Sequence, residues 1–182
     1  MSIADEVFAL FERRGSSAYF GERVSMTEHS LQAAYFAREE SAPGELIVAA
    51  LLHDVGHLID DVPDALEDWT SDLHHEESGA RWIEQRLRPQ VAGPVRLHVP
   101  AKRYLCATDP GYVAMLSEAS VVTLNLQGGR MNTSEVARFE TLPFHAEAVR
   151  LRRWDDQGKV AGLKTPGLHE YRALIEAFAL RE

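Results

Sequence analysis

Apolar residues recur with helical spacing along almost the whole chain. In "IADEVFALF", residues 3–11, they form one stripe of the kind that an amphipathic helix buries. The run Ser25-Met26-Thr27-Glu28 is a capping box, which predicts a helix that begins at Ser25 and continues through "HSLQAAYFAREE". Alternation of apolar and polar residues, the mark of a half-buried strand, never extends beyond five residues. The pattern therefore predicts an all-α fold.

Helix-breaking residues and caps predict where the other helices begin and end. Pro43-Gly44 opens the helix that carries "LIVAALLHDVGHLI", and Asp72 is a candidate cap for "LHHEESGARWIEQRL". Pro89, Gly93 and Pro94 are expected to break the chain before "VRLHVPAKRYLCA". The polar run "DDVPDALEDWTSD" is expected to be a loop or a short helix. Four more helices are predicted: roughly 111–126, ended by the glycine pair of "QGGRMN"; "SEVARFETL"; about Pro143 to Trp154; and "LHEYRALIEAFAL". These add up to a bundle of about seven to nine helices.

Length, charge and cysteine content narrow the class of protein. With 182 residues, of which 45% are hydrophobic, the chain is expected to form a single domain over 1–182. A net charge of −9 argues against nucleic acid or an anionic membrane as the main partner. The single cysteine, Cys106, excludes an intrachain disulfide. No signal peptide or long apolar run is recognisable, so a cytoplasmic protein is expected.

One stretch, "LLHDVGHLID" at 51–60, places titratable groups inside an apolar helix, which is costly unless something binds them. On a continuous helix Asp54 lies ~100° around from His53, so the two side chains splay apart. Separate predicted helices supply further imidazoles and carboxylates, as helical bundles do for metal sites in their cores. Such ligands suit iron, manganese or zinc. The candidate ligands are His29, His53, Asp54, His75, His98 and Asp155.

Two alternatives stay open at this level. A single histidine among apolar residues is more often a hydrogen-bonded core residue than a ligand, and only the adjacent His-Asp pair favours metal. Spacing also does not choose between His74 and His75, since both fall at the start of the same predicted helix.

The motif "HDVGH" at 53–57, with His29 upstream and Asp155 downstream, resembles the HD-domain superfamily. Its members bind metal through a His…His-Asp…Asp set on an all-α fold, and most are phosphohydrolases. Two additional histidines, His75 and His98, resemble the dinuclear branch, in which the Asp of the pair bridges two metals. The resemblance implies one iron held by His29, His53, Asp54 and Asp155, and another held by Asp54, His75 and His98.

Four further segments narrow this resemblance: "YFGERVSMTEHSLQ" (19–32), "HVPAKRYLC" (98–106), "LSEASVVTLNLQGG" (116–129) and "LRRWDDQGK" (151–159). They are similar to mixed-valent diiron oxygenases that cleave carbon–phosphorus bonds. The resemblance implies two irons, Fe(II)/Fe(III), with dioxygen as co-substrate. It implies 1-hydroxy-2-aminoethylphosphonate or its trimethylammonium analogue as substrate, cleaved to phosphate and glycine or glycine betaine. A functional partner is implied as well, a 2-oxoglutarate-dependent hydroxylase that makes the 1-hydroxyl group.

The same resemblance implies roles for residues around the metals. Tyr19 would occupy an iron position until substrate displaces it and opens a site for dioxygen, and Glu22 would belong to the same mobile element. On composition alone both are ordinary loop residues, and Asp156 is expected to be a solvated or helix-end charge. The implied phosphonate contacts are His57, Lys102, Ser120, Thr123 and Gln127.

Two other functions compete with an oxygenase. A metal-dependent HD phosphohydrolase would attack a phosphoester or nucleotide with metal-bound water, and it would have no need of the Tyr19–Glu22 element. A non-catalytic binding protein on the same fold would have no need of six intact candidate ligands.

Overall fold

The protein is an all-helical bundle, as the computed structural model, which describes residues 1–59 and 74–180, shows. These residues form ten α-helices, two 3₁₀ helices and no strand, only isolated bridges at Ala18–Ser25 and Leu87–Ala179. None of these helices is both long and apolar enough to cross a bilayer. The α-helices are α1 Ile3–Arg14, α2 Met26–Glu39, α3 Gly44–Leu52, α4 Val55–Ile59, α5 His75–Glu84, α6 Pro89–Thr108, α7 Glu118–Leu126, α8 Thr133–Phe139, α9 His145–Gln157 and α10 Arg172–Ala177; the 3₁₀ helices are Tyr112–Met115 and Leu168–Tyr171.

The predicted start of α2 is confirmed in atomic detail. The Ser25 hydroxyl accepts a bond from the Glu28 amide at 3.2 Å, and the Glu28 carboxylate accepts one from the Ser25 amide at 2.7 Å. Both bonds satisfy amides that a helix leaves without partners in its first turn. The box fixes the register of α2 and thereby the direction in which His29, one turn further on, points.

The helix predicted across "LIVAALLHDVGHLI" is wrong as a single element, because it is interrupted at His53–Asp54 between α3 and α4. A continuous helix would give the Ala50 carbonyl to the Asp54 amide. That carbonyl accepts a bond from Nδ1 of His53 at 2.8 Å. The interruption divides one predicted helix into two, and it places the His-Asp pair at a joint rather than on a helix face.

The expected break is confirmed at Pro89, where α6 begins, but is wrong at Gly93 and Pro94, because α6 runs through both. Pro89 lies in the first turn, where the missing amide costs nothing. Gly93 allows the Phe144 ring to approach so closely that a Cβ atom would lie 2.2 Å from it. Packing of α6 against α3, α5 and α9 outweighs the lost hydrogen bonds of its prolines.

Smaller differences between the predicted and the observed helices concern where α5 and α7 begin and end. The segment predicted as one helix over 111–126 is a 3₁₀ helix followed by α7, whose N-cap is Ser117. Gly128 and Gly129 end α7 with positive φ angles of 93° and 70°, as the glycine pair predicts. Helix α5 begins at His75, and the predicted cap Asp72 lies outside the described residues.

Candidate metal centre

Six polar residues meet in the centre of the bundle, and each of them is exposed by 6% or less. Five separate structural elements deliver them, so the cluster depends on how α2, α3, α5, α6 and α9 pack together. These are the six residues that the sequence proposed: His29 on α2, His53 and Asp54 at the α3–α4 joint, His75 on α5, His98 on α6 and Asp155 on α9.

The imidazoles form two pairs whose Nε2 atoms face each other. The Nε2 atoms of His29 and His53 are 3.0 Å apart, and those of His75 and His98 are 3.2 Å apart. Asp54 lies between the pairs. Its Oδ2 is 3.5 Å and 3.3 Å from the first pair, and its Oδ1 is 3.3 Å and 3.5 Å from the second. One carboxylate thus presents a separate oxygen to each pair.

Hydrogen bonds on the far side of three rings fix which nitrogen carries the hydrogen. Nδ1 of His29, His53 and His98 donates to the carbonyls of Gly158, Ala50 and Val95, at 2.9, 2.8 and 2.7 Å. Because a carbonyl only accepts, each neutral ring is left with a lone pair on Nε2. Lone pairs that face one another in a buried site need a cation between them. The donor set therefore fits metal ions.

The pKa values of His29 and Asp54 also favour a cation at this centre. Burial disfavours a charged His29, but the Asp155 and Asp54 carboxylates, 3.3 and 3.5 Å from its Nε2, outweigh burial and raise the pKa of His29 to about 9. Burial likewise opposes ionisation of Asp54, yet the surrounding His53, His29 and His75 hold the pKa of its carboxyl well below the ordinary value. A cation is favoured at this point, and metal binding would release protons from it.

The structure separates the two adjacent histidines that spacing left equivalent. The His75 ring is buried beside Asp54 and His98, whereas the His74 side chain is 69% exposed. His74 also has a left-handed backbone, with φ at 49°, which turns its side chain away from the cluster. Only His75 is placed to act as a ligand.

Asp155 is held by a buried arginine. Its Oδ2 lies 2.6 Å from Nη1 of Arg152, while its Oδ1 lies 3.3 Å from His29 Nε2 and accepts no hydrogen bond from the described residues. Arg152 also donates to Asp156 and to the Tyr112 hydroxyl. Burial opposes ionisation of Asp155, but the Arg152 charge outweighs it and keeps the pKa of the carboxyl well below normal. Asp156, expected to be a solvated or helix-end charge, does lie in the last turn of α9, where it is a partly buried partner of this arginine and not fully solvated.

We expect Arg152→Met to destabilise the fold by about 3 kcal/mol, because two carboxylates would lose their buried counter-charge. Metal affinity should fall as well, by roughly 10- to 100-fold, since Asp155 loses the partner that orients it. Urea unfolding and metal titration measure the two effects. The adjacent Arg153→Met is the control: Arg153 pairs with Asp109 at the surface, and its loss should cost less than ~1 kcal/mol. Equal costs for both variants would contradict the role given to Arg152.

A cleft of about 440 Å³, partly open to solvent, leads from the surface to Asp54, His75, His98 and Asp155. The Lys102 ammonium lies on one wall and donates to Thr123 Oγ1 at 2.8 Å. The Oε1 atom of Gln127 is buried there and has no hydrogen-bond partner among the described residues. All five predicted phosphonate contacts line this cleft: His57, Lys102, Ser120, Thr123 and Gln127.

A tight turn covers the inner end of the cleft. The Tyr19 hydroxyl donates to Oδ2 of Asp54 at 2.9 Å, and its ring stacks on His29 with centroids 3.8 Å apart. Phe20 and Gly21, at φ 36° and 81°, turn the chain so that Glu22 also lines the cleft. The turn brings both predicted residues, Tyr19 and Glu22, to the centre.

Two cleft residues were missed by the sequence reasoning. Arg152 had a signal, since it lies three and four residues before an Asp pair on one helix, the spacing at which charges meet. Lys159 had none. It follows the end of α9, and only the tertiary fold brings its ammonium to Ser120, at 2.9 Å.

Comparisons with known proteins agree with this centre. Residues 26–125 match the HD domain family. The chain is 43% identical over 175 residues to the [1-hydroxy-2-(trimethylamino)ethyl]phosphonate dioxygenase (glycine-betaine-forming) of Leisingera caerulea, covering 96% of this chain and 89% of that protein. It is 46% identical over 176 residues to the hydroxymethylphosphonate dioxygenase of Gimesia maris, with coverages of 94% and 85%. The chain therefore belongs to the HD-domain family, in the branch that includes these phosphonate dioxygenases.

Proposed function

We propose that this protein is an iron-dependent dioxygenase that cleaves the carbon–phosphorus bond of a 1-hydroxyphosphonate and releases phosphate. The observation that carries the proposal is Asp54, which offers one oxygen to each of two imidazole pairs below a lysine-lined cleft. The names of the two dioxygenase relatives support the same reaction class. A hydrolase would have no need of Tyr19, whose hydroxyl bonds to Asp54.

Two irons are the proposed cofactors, in a mixed Fe(II)/Fe(III) state, with dioxygen as co-substrate. His29, His53, Asp54 and Asp155 would hold one ion, and Asp54, His75 and His98 the other. Imidazole and carboxylate without thiolate suit a redox-active iron. When bound, the pair would supply the one-electron chemistry that oxidation of a C–H bond by dioxygen requires.

The protein itself would bind and orient the phosphonate. Lys102 is buried and lies against Thr123, so an anion in the cleft would gain an ammonium and a hydroxyl together. Gln127 lines the same cleft, and its buried Oε1, which has no partner among the described residues, could accept a hydrogen bond from the substrate's 1-hydroxyl group. Burial, reinforced by the neighbouring His75, holds the pKa of His57 well below normal, so this ring meets the substrate as a neutral donor. These contacts would point the carbon–phosphorus bond at the metals.

Tyr19 would act as a gate over the centre. Its phenol bond to Asp54 and its stack on His29 close the cleft in the substrate-free protein. Substrate would displace the ring, so that dioxygen reaches the reduced metals only when there is something to oxidise. The buried surroundings keep bulk water from the same position.

The test is an aerobic assay of the iron-loaded protein with three substrates side by side: hydroxymethylphosphonate, 1-hydroxy-2-aminoethylphosphonate and its trimethylammonium analogue. Phosphate release that requires oxygen is expected, with formate, glycine or glycine betaine as the second product. Release that continues unchanged under strict anaerobiosis would overturn the proposal, and so would turnover of nucleotides with manganese or magnesium alone. The substrate is proposed to come from a 2-oxoglutarate-dependent hydroxylase, in the cytoplasm.

Phosphonate binding should be accompanied by proton uptake at Lys102. Burial lowers the pKa of this lysine to about 7, so its amine is mostly neutral at pH 8 in the free protein. A bound phosphonate dianion favours the charged form and raises that pKa, so at pH 8 binding should take up about one proton. Calorimetry in buffers of different ionisation enthalpy measures this number under anaerobic conditions. Lys102→Met should remove the uptake, whereas equal uptake by the variant would exclude Lys102 as its source.

A further inference from the structure

The Lys159 ammonium lies close to three elements at the cleft: the start of α7, the Tyr19–Glu22 turn and the end of α9. Its ammonium lies 2.9 Å from the hydroxyl of Ser120 and 3.5 Å from that of Ser117, both at the start of α7. It also lies 3.7 Å from Oε1 of Glu22 and 3.8 Å from Oδ1 of Asp156. The side chain is only 12% exposed. An ammonium group in this position interacts electrostatically with any charged group that enters the cleft beside Ser120.

The backbone on both sides of Lys159 is fixed. The carbonyl of Gly158 accepts the bond from His29, and the amide group of Gln32 both donates to and accepts from the Val160 backbone, at 2.8 and 2.9 Å. The position of Lys159 beside Ser120 is therefore supported by hydrogen bonds of the backbone on either side of it. Its position is set by the residues that also orient a proposed metal ligand.

Glu22 has little else to compensate its charge. Its Oε1 atom is buried and accepts no hydrogen bond from the described residues, so the Lys159 ammonium at 3.7 Å is its counter-charge in the described part of the chain. A buried carboxylate without such a counter-charge is strongly disfavoured. Glu22 and Tyr19 are also linked within the tight turn, since the Glu22 amide donates to the Tyr19 carbonyl at 2.7 Å.

Two lysines flank the face that the substrate would use. Lys159 bonds to Ser120 and Lys102 bonds to Thr123, one helical turn apart on α7. A phosphonate seated on this face meets both ammonium groups. It would also compete with Glu22 for Lys159.

We propose that Lys159 couples arrival of the phosphonate to release of the Tyr19–Glu22 turn. The anion takes over the ammonium beside Ser120, Glu22 loses its counter-charge and leaves the cleft for water, and Tyr19 is drawn away from Asp54 with it. The other charged groups facing Lys159 do not change partners, since Asp156 keeps its ion pair with Arg152. This inference rests on the proposed function, in that the anion is the substrate's phosphonate.

A double-mutant cycle tests the coupling. Binding of hydroxymethylphosphonate to the iron-loaded, full-length protein is measured by anaerobic calorimetry for the wild type, Glu22→Gln, Lys159→Met and the double variant. Lys159→Met should weaken binding about tenfold or more, the scale of a lost charged hydrogen bond. Glu22→Gln should tighten binding when Lys159 is present and leave it unchanged when Lys159 is absent. The exposed Lys164→Met is the matched control and should bind like the wild type.

Other outcomes are equally clear. If Glu22→Gln changes the affinity by the same factor with and without Lys159, the lysine is merely structural and the coupling is wrong. If Lys159→Met fails to fold or to hold iron, Lys159→Arg replaces it; this variant keeps a cation and must retain the effect of Glu22→Gln. Absence of oxygen-dependent phosphate release by the wild type would refute the proposed function. A wild type that turns over but gives an additive cycle refutes the coupling alone.

Discussion

Asp54→Asn is expected to abolish turnover and to empty both metal positions. An amide offers one oxygen instead of two and adds a donor beside imidazole lone pairs that need a cation. Because both imidazole pairs share this carboxylate, iron content should fall from about two to fewer than about one per chain, with activity down by about 10³-fold or more. Elemental analysis and oxygen-dependent phosphate release measure the two quantities.

The control for this variant is Asp5→Asn, which removes a carboxylate of an exposed ion pair with Arg172. It should keep both irons and full activity. If Asp54→Asn retained two irons per chain, Asp54 would not be the shared ligand, and the two positions would have to be held by separate carboxylates.

His75→Asn is expected to lose one iron while the other stays. In the proposed arrangement the second position would depend on His75 and His98, whereas His29, His53 and Asp155 would hold the first without help from α5. Turnover needs both ions under the proposed function, so it should fall by about 10³-fold as well. Iron analysis together with the spectrum of the remaining single ion distinguishes this variant from Asp54→Asn.

His74→Asn is the matched control, made one residue away in the same sequence context. Asparagine tolerates the left-handed backbone at this position, where φ is 49°, so the change tests the side chain and not the turn. Iron content and activity should stay at the wild-type values. Loss of iron from this variant, with retention by His75→Asn, would mean that the wrong histidine has been chosen.

Local signals predicted most of the fold, and tertiary packing decided the rest. The capping box at Ser25 and the glycines after α7 act within a few residues, and both predictions are confirmed. The course of α6 through Pro94 could not be read locally, because the contact of Gly93 with Phe144 joins positions far apart in the chain. The break at His53–Asp54 could not be read from periodicity, because the apolar spacing continues across it.

The candidate ligands were found because buried imidazole and carboxylate in apolar helices demand an explanation. Spacing did not tell His74 from His75, since the choice depends on a single left-handed residue before α5. No role was predicted for Lys159, because its ammonium finds its partners on α7 and in the Tyr19–Glu22 turn, and both are remote in sequence. Metal-ligand residues can be recognised in the sequence by their residue type. A residue such as Lys159, whose proposed role depends on its neighbours, can be recognised only in the folded structure.

The packing of α9 against α2, α3 and α6 has a consequence for where a working fragment could be cut. The HD family match ends at residue 125, so an excised 26–125 segment would contain five of the six candidate ligands but lack Asp155. It would also lose Tyr19, Lys159 and the carbonyl that sets the tautomer of His29. We propose that the whole chain is one functional unit. In such a unit the segment matched by the family would supply five of the six candidate ligands, and the flanking segments would add Asp155, Tyr19 and the ammonium of Lys159.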